Sequence, residues 1–136
     1  MATREKFAVT IRVPDADIDR QGHVNNVAFI RYVQEAAVAH WSAVAPPDLQ
    51  ASFTWVVRRH EVEYLRPAFP GDELLTRTWV GEPTGATWER FTEVFRAGEE
   101  RPIATARTVW VLLDAATGRP RRVDTALVAL FPSAEG

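Results

Sequence analysis

The feature that most constrains this chain is one long helical pattern in a sequence that otherwise suggests strands. After Asn25, which suits a helix N-cap, apolar residues recur at steps of three or four, the spacing of one helix face. These residues are Val27, Ile30, Val33, Ala37, Trp41 and Val44. Further apolar residues such as Phe29 and Val38 occupy other faces, so we expect a helix enclosed on several sides. Pro46 and Pro47 predict its end.

The remaining segments predict strands joined by short turns. Residues 7–13 alternate apolar with polar or small residues ahead of the helix, which is the period of a half-buried strand. Four β-prone segments follow the helix: residues 53–66, 74–80, 87–96 and 103–113. Ala104 and Ala106 share one face of the last segment, where a helix could approach closely. The apolar tail, residues 123–131, matches neither a helix nor a strand pattern.

Together these elements predict an α+β fold. One strand, one long helix and about four hairpin-connected strands favour an antiparallel sheet. At 136 residues the chain has the size of a single domain, and we expect residues 1–136 to form one core. Because a single helix covers only one face of such a sheet, the sheet should curl around the helix. Its uncovered edge predicts a homo-oligomer.

Composition argues against several classes of function. A net charge of −2 offers no basic surface for nucleic acid. Without cysteine there is no disulfide, thiolate nucleophile or zinc–sulfur site, and three histidines make a metal site a poor expectation. No apolar run approaches the roughly 18 residues of a membrane span, and residues 1–6 lack the apolar core of a secretory signal. We therefore expect a cytoplasmic protein without a membrane or nucleic-acid partner.

The densest polar cluster lies where the loop after the first strand meets the helix. It contains Asp15, Asp17, Asp19, Gln21, His23, Asn25 and Asn26. Helix capping accounts for one or two such residues, so the remainder suggests a functional site. Free N–H groups at a helix start can stabilise negative charge on a carbonyl oxygen, and a nearby carboxylate can attack that carbonyl or activate water. A thioester fits best, because its thiolate leaves with a pKa of roughly 8.5.

Residues 17–36 resemble the signature of hotdog-fold acyl thioesterases, of the 4-hydroxybenzoyl-CoA and acyl carrier protein thioesterase kind. The segment reads Asp17-Ile-Asp19-Arg-Gln-Gly22-His23-Val-Asn25-Asn26 and continues into the helix. Arg66-Pro-Ala-Phe-Pro-Gly-Asp72 is similar to a strand-ending turn of that family. The resemblance implies a long helix wrapped by a curved antiparallel sheet of about five strands. It also implies a homodimer or homotetramer with a continuous sheet and active sites between subunits.

The resemblance further implies roles for individual residues. Asp19, the second aspartate of the Asp-x-Asp-x-x-Gly pattern, corresponds to the nucleophile or general base, and the amide of Asn26 corresponds to the group that polarises the thioester. His23 is expected to orient the substrate or to hold Asp19, or else only to anchor the loop. The remaining predicted substrate-binding residues are Gly22, Asn25, Val57, Arg58 and Arg59. Because Arg58 and Arg59 are neighbours in a strand, we expect them on opposite faces.

Some positions depart from the family pattern and leave alternatives open. Gln21 stands where the acyl carrier protein thioesterases have asparagine. Ala37 occupies the position at which many relatives have an arginine that would pair with Glu35. Glu35 is the rival catalytic carboxylate, because another hotdog subgroup takes that group from the helix. The negative charge of Asp17 should disfavour ionisation of Asp19 unless a donor such as the loop histidine or a backbone amide compensates the charge of Asp17.

The favoured function is hydrolysis of an acyl-CoA thioester, with an acyl carrier protein thioester as the second choice of substrate. Coenzyme A is then part of the substrate, and no separate cofactor or metal is expected. Two rival functions are a hotdog protein that binds acyl-CoA without hydrolysing it, and a dehydratase or hydratase of acyl thioesters. The latter would need a histidine placed for proton abstraction, and His23 lies in a different motif.

Two further groups of residues have alternative interpretations. A basic cluster near the end of the chain either forms a solvated turn or binds the phosphates of coenzyme A. The five tryptophans could line a tunnel for the acyl group, but we expect them to pack in the core. The basic cluster consists of Arg119, Arg121 and Arg122.

Overall fold

Five strands form one antiparallel sheet in the computed structural model, which describes residues 4–134. The strands are β1 (Phe7–Arg12), β2 (Phe53–Tyr64), β3 (Glu73–Thr84), β4 (Thr87–Arg96) and β5 (Pro102–Asp114). Their order across the sheet is β1-β3-β4-β5-β2, and every neighbouring pair is antiparallel. The strands that flank the helix in sequence therefore lie at opposite edges of the sheet, while β3, β4 and β5 follow one another as hairpins.

The long helix is confirmed as α1, Asn26–Val44. Asn25 is its N-cap, and the side-chain oxygen of Asn25 accepts a hydrogen bond from the Val27 N–H at 2.8 Å. The helix ends before Pro46, as its sequence predicts. With a long helix on a curved five-stranded sheet, the molecule has the α+β hotdog fold that the sequence resemblance implies.

Two short helices lie outside the predicted elements. Pro47 opens α2 (Pro47–Ser52), because a proline is accommodated in the first turn of a helix. In the apolar tail, α3 (Thr125–Val128) is capped by Asp124, whose carboxylate accepts a hydrogen bond from the Leu127 N–H at 2.9 Å. Helices of six and four residues are too short to show a repeating apolar face, so the sequence pattern does not reveal them.

α1 packs one face on the sheet and leaves the opposite face open. Its buried residues are Ala28, Phe29, Tyr32, Val33, Ala36, Ala37 and His40. On the other side, Val27 and Val38 are 71% and 58% exposed. The prediction that the helix is enclosed on several sides is therefore wrong within this chain, because one sheet offers the helix only one surface.

Two groups of buried side chains join α1 to the sheet, one toward each end of the helix. The group near the helix start contains Val13, Val24, Ala28, Phe29, Tyr32, Ala68, Leu74, Val94, Ile103 and Ala104. The group near the helix end contains Phe53, Val80, Trp88, Leu112, Val123, Leu127 and Phe131, and the partly buried Trp41 and Val44 of α1 pack against it. Ala104 of β5 packs with α1 residues in the first group, as its small size predicts. The first group also includes residues on both sides of the polar loop, and so holds that loop against the helix.

A bulge interrupts β2 at its middle. The pairing of β2 with β5 shifts register between Val57 and Arg59, so that Arg58 is left without an opposite residue. Arg58 and Arg59 are both exposed, while Val57 and His60 on either side are half-buried. The prediction that the two arginines point to opposite faces is therefore wrong, because the extra residue of the bulge breaks the alternation of the strand.

Candidate active site

The loop between β1 and α1 is a small hairpin that ends in a glycine turn. The Asp19 N–H donates to the His23 carbonyl at 3.0 Å, and the Asn25 N–H donates to the Asp17 carbonyl at 2.9 Å. The turn itself is closed by a bond from the Gly22 N–H to the Asp19 carbonyl at 3.1 Å. Gly22 has φ of 84°, a conformation that is strained for a residue with a side chain, which explains the glycine at this position.

Asp17 is buried and serves as an anchor between the loop and α1. Its carboxylate accepts hydrogen bonds from the guanidinium of Arg31 and, at 2.5 Å, from the hydroxyl of Tyr32. The bond from Arg31 lowers the pKa of Asp17, although burial acts in the opposite direction. Burial and the neighbouring carboxylate together raise the pKa of Tyr32 above its ordinary value. The negative charge of Asp17 is therefore compensated by hydrogen bonds from two helix residues, Arg31 and Tyr32, and not by the loop histidine or a backbone amide.

Asp19 is half-buried and is positioned by the loop backbone. One oxygen, Oδ1, accepts a hydrogen bond from the Gln21 N–H at 2.9 Å. The other oxygen makes no hydrogen bond or ion pair within residues 4–134. His23 meets Asp19 through its main-chain carbonyl, and over the same range its ring forms no hydrogen bond to the carboxylate. The hydrogen bond between His23 and Asp19 thus involves only their backbones, and a role of the His23 ring in orienting the substrate stays a prediction.

The start of α1 leaves one backbone amide open. The Asn25 N–H bonds to the Asp17 carbonyl, the Val27 N–H to the Asn25 side chain, and the Ala28 N–H to the Asn25 carbonyl at 2.9 Å. The Asn26 N–H alone of these four consecutive amides has no acceptor in the part of the chain that the structure describes. An open amide at the positive end of a 19-residue helix is suited to bind an anionic or partly negative oxygen.

Tyr64 joins the end of β2 to the start of the helix. Its hydroxyl donates to the Asn26 carbonyl at 3.2 Å, and its ring packs edge-on against Phe29 with 5.9 Å between centroids. Tyr64 is 41% exposed, so this contact lies at the surface, at the residue that carries the open amide. Nothing in the sequence marks this contact, because 38 positions separate Tyr64 from Asn26.

The second motif segment, residues 66–72, also reaches the loop. The Val24 N–H donates to the carbonyl of the fully buried Ala68 at 2.8 Å, and the Val13 N–H donates to the Asp72 carbonyl at 2.9 Å. Arg96 of β4 holds this segment in turn, since its guanidinium bonds to the Asp72 carboxylate at 3.1 Å. The two sequence segments that carry the family resemblance are therefore in contact in the folded chain.

The predicted residues of β2 lie away from this group within one chain. Val57 and Arg59 are seven and five residues before Tyr64, which corresponds to roughly 23 and 16 Å along a strand. Arg59 is exposed and pairs with Glu61 at 3.0 Å. In one protomer, Val57, Arg58 and Arg59 thus belong to the middle of the sheet edge and not to the surroundings of Asp19.

Glu35, the rival carboxylate, is also remote from the helix start. Nine residues of helix separate it from Asn26, which is roughly 13 Å along the helix axis. Its carboxylate lies 3.4 Å from Arg31 Nε, so Arg31 supplies the positive partner that Ala37 does not. Ala37 itself is buried, with 5% of its surface exposed.

Two further properties of the described residues bear on cofactors and location. No three or more His, Cys, Asp or Glu side chains among residues 4–134 are grouped so that they could hold a metal ion. None of the helices seen in that range has both the length and the apolar character needed to cross a membrane.

Comparisons with known proteins identify the family to which this chain belongs. The family model of the thioesterase-like superfamily matches residues 13–131. A thioesterase from Thermus thermophilus, solved in complex with coenzyme A and zinc, is 30% identical to this chain; the match covers 91% of this chain and 90% of that one, with a TM-score of 0.79. Among curated proteins, none matches this chain.

More distant solved structures share the fold. Slr0204, a 1,4-dihydroxy-2-naphthoyl-CoA thioesterase from Synechocystis, is 18% identical, with coverage of 93% of this chain and 95% of that one and a TM-score of 0.80. YbaW, a probable thioesterase from Escherichia coli, is 21% identical, with coverage of 90% and 94% and a TM-score of 0.77.

Proposed function

Because this chain belongs to the thioesterase-like superfamily and is a thioester hydrolase, we propose that it hydrolyses an acyl-CoA with Asp19 and the backbone amide of Asn26. The observation that carries this proposal is the pairing of an open amide at the start of α1 with a carboxylate that has one oxygen unused. Both groups belong to one short segment, residues 17–28, whose backbone hydrogen bonds set its shape.

The proposed reaction uses the two groups on the same carbonyl. The thioester oxygen accepts a hydrogen bond from the Asn26 N–H, and the positive end of the helix stabilises the negative charge that develops there. An oxygen of Asp19 either attacks the carbonyl carbon, giving an anhydride that water then cleaves, or takes a proton from the attacking water. In both routes the C–S bond breaks, coenzyme A leaves as a thiolate, and the carboxylic acid is the second product.

Asp19 is a better candidate than the other carboxylates of this region. Asp17 is buried and its charge is compensated by Arg31 and Tyr32, which both donate to its Oδ2, so it is less accessible and less reactive than the half-buried Asp19. Glu35 lies more than two helical turns from the open amide, and it too is beside Arg31. Tyr64 adds a surface hydroxyl next to Asn26, and we assign it a role in positioning the start of the helix.

We also propose coenzyme A as the thiol carrier, with an acyl carrier protein as the alternative. The support is the Thermus thermophilus thioesterase complexed with coenzyme A, which is 30% identical to this chain. Coenzyme A would then enter as part of the substrate, and the chain would need no separate cofactor. Gly22 and Asn25 support the site through the turn and the helix cap, and the half-buried His23 of the same loop is our candidate to orient the substrate. We propose a cytoplasmic location for this enzyme.

The test is release of thiol from a panel of acyl-CoA thioesters by the wild-type chain and by Asp19→Asn. Loss of the carboxylate should lower turnover at least about a hundredfold, because a positioned base or nucleophile is removed. Asp15→Asn is the matched control, since Asp15 is an exposed aspartate of the same loop, and it should keep full turnover. Full activity of Asp19→Asn would contradict the assignment and favour Glu35. Binding of acyl-CoA without any turnover by the wild-type chain would favour a binding protein instead.

A further inference from the structure

A second site is suggested by a cavity at the other end of α1. The cavity has a volume of about 320 Å³ and lies between the last turns of the helix and the sheet. Its aromatic walls are Trp41, Phe53, Trp55, Trp88, Trp110 and Phe131. Trp41 is fifteen residues beyond Asn26, which is roughly 22 Å along the helix, so within one chain this cavity is separate from the Asp19 loop. Exposed Val38 and Ser42 also line it, which shows that it opens to solvent.

One wall of this cavity carries a buried arginine. Arg90 of β4 is only 5% exposed and lines the cavity. Its Nη1 donates to His40 Nδ1 at 2.9 Å and to Thr78 Oγ1 at 3.0 Å. Because a guanidinium can only donate, Nδ1 of His40 must be unprotonated, and burial accordingly lowers the pKa of His40 to about 4. His40 is therefore neutral at pH 7 and contributes no charge.

The positive charge of Arg90 has no counterion in the part of the chain described. No carboxylate among residues 4–134 pairs with Arg90, and its Nε and Nη2 have no hydrogen-bond partner there. Burial lowers the pKa of Arg90 to about 9, which still leaves the guanidinium protonated at neutral pH. Nε and Nη2 form one edge of the planar guanidinium, the edge that binds both oxygens of a carboxylate side by side. The guanidinium carbon lies 5.9 Å from the centroid of the Phe131 ring, a contact that supplies no negative charge. A buried charge without a counterion is destabilising, so the free edge is suited to an anion from outside the chain.

The wall of the cavity beside Arg90 is aromatic. The rings of Trp88 and Trp110 lie opposite each other on neighbouring strands, and both residues line the cavity. Trp110 Nε1 is itself buried away from solvent, so the guanidinium of Arg90 is the donor that a ligand in the cavity would meet. An alkyl chain in this cavity would leave the charge of Arg90 without a counterion, whereas a ligand with an anionic group would supply one.

We propose that this cavity is a binding site for a small aromatic carboxylate. The ring would lie among the tryptophans, and the carboxylate would accept hydrogen bonds from the free edge of Arg90. A volume of about 320 Å³ is at the lower end of the range for ligand pockets and suits one or two fused rings. Ala37, a small residue on the helix side of the cavity, leaves this space open.

The test is calorimetric titration of the full chain with 1-naphthoate and with the uncharged, equally shaped 1-naphthamide. The carboxylate should bind at least about tenfold more tightly than the amide, because only the carboxylate is an anion that pairs with Arg90. Quenching of intrinsic fluorescence by benzoate, which does not absorb where tryptophan emits, provides a second readout. Equal affinity for acid and amide, or binding of neither, would overturn the proposal.

Single-residue variants separate this site from structural and catalytic effects. Arg90→Gln keeps side-chain N–H donors but removes the charge, and it should reduce the preference for 1-naphthoate over 1-naphthamide to less than about twofold. Arg77→Gln is the matched control, because Arg77 lies over the Phe95 ring and does not line the cavity, and its preference should be unchanged. Asp19→Asn should also leave the affinity unchanged, so failure of the proposed catalysis would not affect this result. An unaltered preference in a folded Arg90→Gln variant would contradict the proposed contact.

Discussion

Asp17 and Asp19 show how two identical side chains two positions apart acquire different functions. Asp17 is buried against α1 and its charge is matched by Arg31, with a second hydrogen bond from Tyr32. Asp19 is half-buried on the turn of the hairpin, and within residues 4–134 its carboxylate accepts a hydrogen bond from the Gln21 amide alone, which leaves one oxygen available for the proposed reaction. The first aspartate therefore contributes to stability, and we infer that the second contributes to turnover.

This division predicts opposite results for two conservative variants. Asp17→Asn should lower the free energy of unfolding by about 1–2 kcal/mol, the modest size reflecting the half-exposed side chain of Arg31. Asp19→Asn should change it by less than about 0.5 kcal/mol, because no buried partner is lost. Urea denaturation at pH 7 measures both values. Equal stability of the two variants would contradict the anchoring role of Asp17.

The effect of Asp17 should also depend on pH. Because the pKa of Asp17 is lower in the folded chain than its ordinary value of 3.8, the unfolded chain takes up a proton first as the solution is acidified. The stability that Asp17 contributes is thus present above that value and is lost as pH falls through the lower, folded pKa. The difference between wild type and Asp17→Asn should therefore shrink below about pH 4 in the same denaturation experiment.

At the scale of elements, the site depends on how a nine-residue hairpin enters a helix. Residues 17–25 are closed by backbone bonds between Asp17 and Asn25 and between Asp19 and His23, and α1 begins at the next residue. The Asn25 side chain caps the second amide of the helix and not the first, which leaves the Asn26 N–H open. The same hydrogen bonds that terminate the loop thus expose the amide.

The turn of this hairpin can be tested at Gly22. Gly22→Ala meets no steric clash, since nothing lies within 4 Å of the added carbon, but alanine is strained at φ of 84°. We expect a loss of about 1–2 kcal/mol and a fall in turnover as Asp19 moves. Gly22→Asn is the matched control, because asparagine tolerates this conformation and should keep most of the activity. If alanine and asparagine behaved alike in thiol release and thermal unfolding, the positive φ would not be the reason for the glycine.

At the scale of the whole molecule, the sheet has two edges and the helix has one open face. β2 forms one edge, carries the bulge at Arg58, and exposes apolar surface at Val56 and Tyr64, which are 40% and 41% exposed. Unpaired strand edges with apolar side chains favour association. Antiparallel pairing of two β2 edges would bring the middle of β2, including Val57 and Arg59, next to a second chain, and would explain why resemblance assigns them to substrate binding.

We therefore predict a homodimer, or a homotetramer built from it, that is joined along β2. Sedimentation equilibrium of the wild-type chain should give at least twice the mass of one 15.3 kDa chain. Val56→Lys, which places a charge on the exposed edge, should shift the population toward the monomer. Thr125→Lys, an exposed position on α3 outside the β2 edge, is the matched control and should not. A monomeric wild-type chain at micromolar concentration would contradict this assembly.

Local patterns in the sequence were sufficient for the long helix, the five strands and the place of the proposed site. The three-to-four spacing after Asn25 predicts α1 because its buried face follows that period, and the alternating segments predict all five strands. The cluster of polar residues at the helix start marks the hairpin because capping and turn residues act on their immediate neighbours. These are short-range effects, in which the cause and its signal lie within a few residues of each other.

Contacts between distant segments were decided only by the tertiary structure. The bulge at Arg58 depends on register with β5, the contact of Tyr64 with Asn26 depends on where β2 ends, and the exposure of Val38 depends on how much of α1 one sheet can cover. The uncompensated charge of Arg90 exists only because the folded sheet places no carboxylate within its reach among residues 4–134. Hydrophobic period reports whether a residue faces inward, but which partner it meets there is set by strand register and packing across the whole chain.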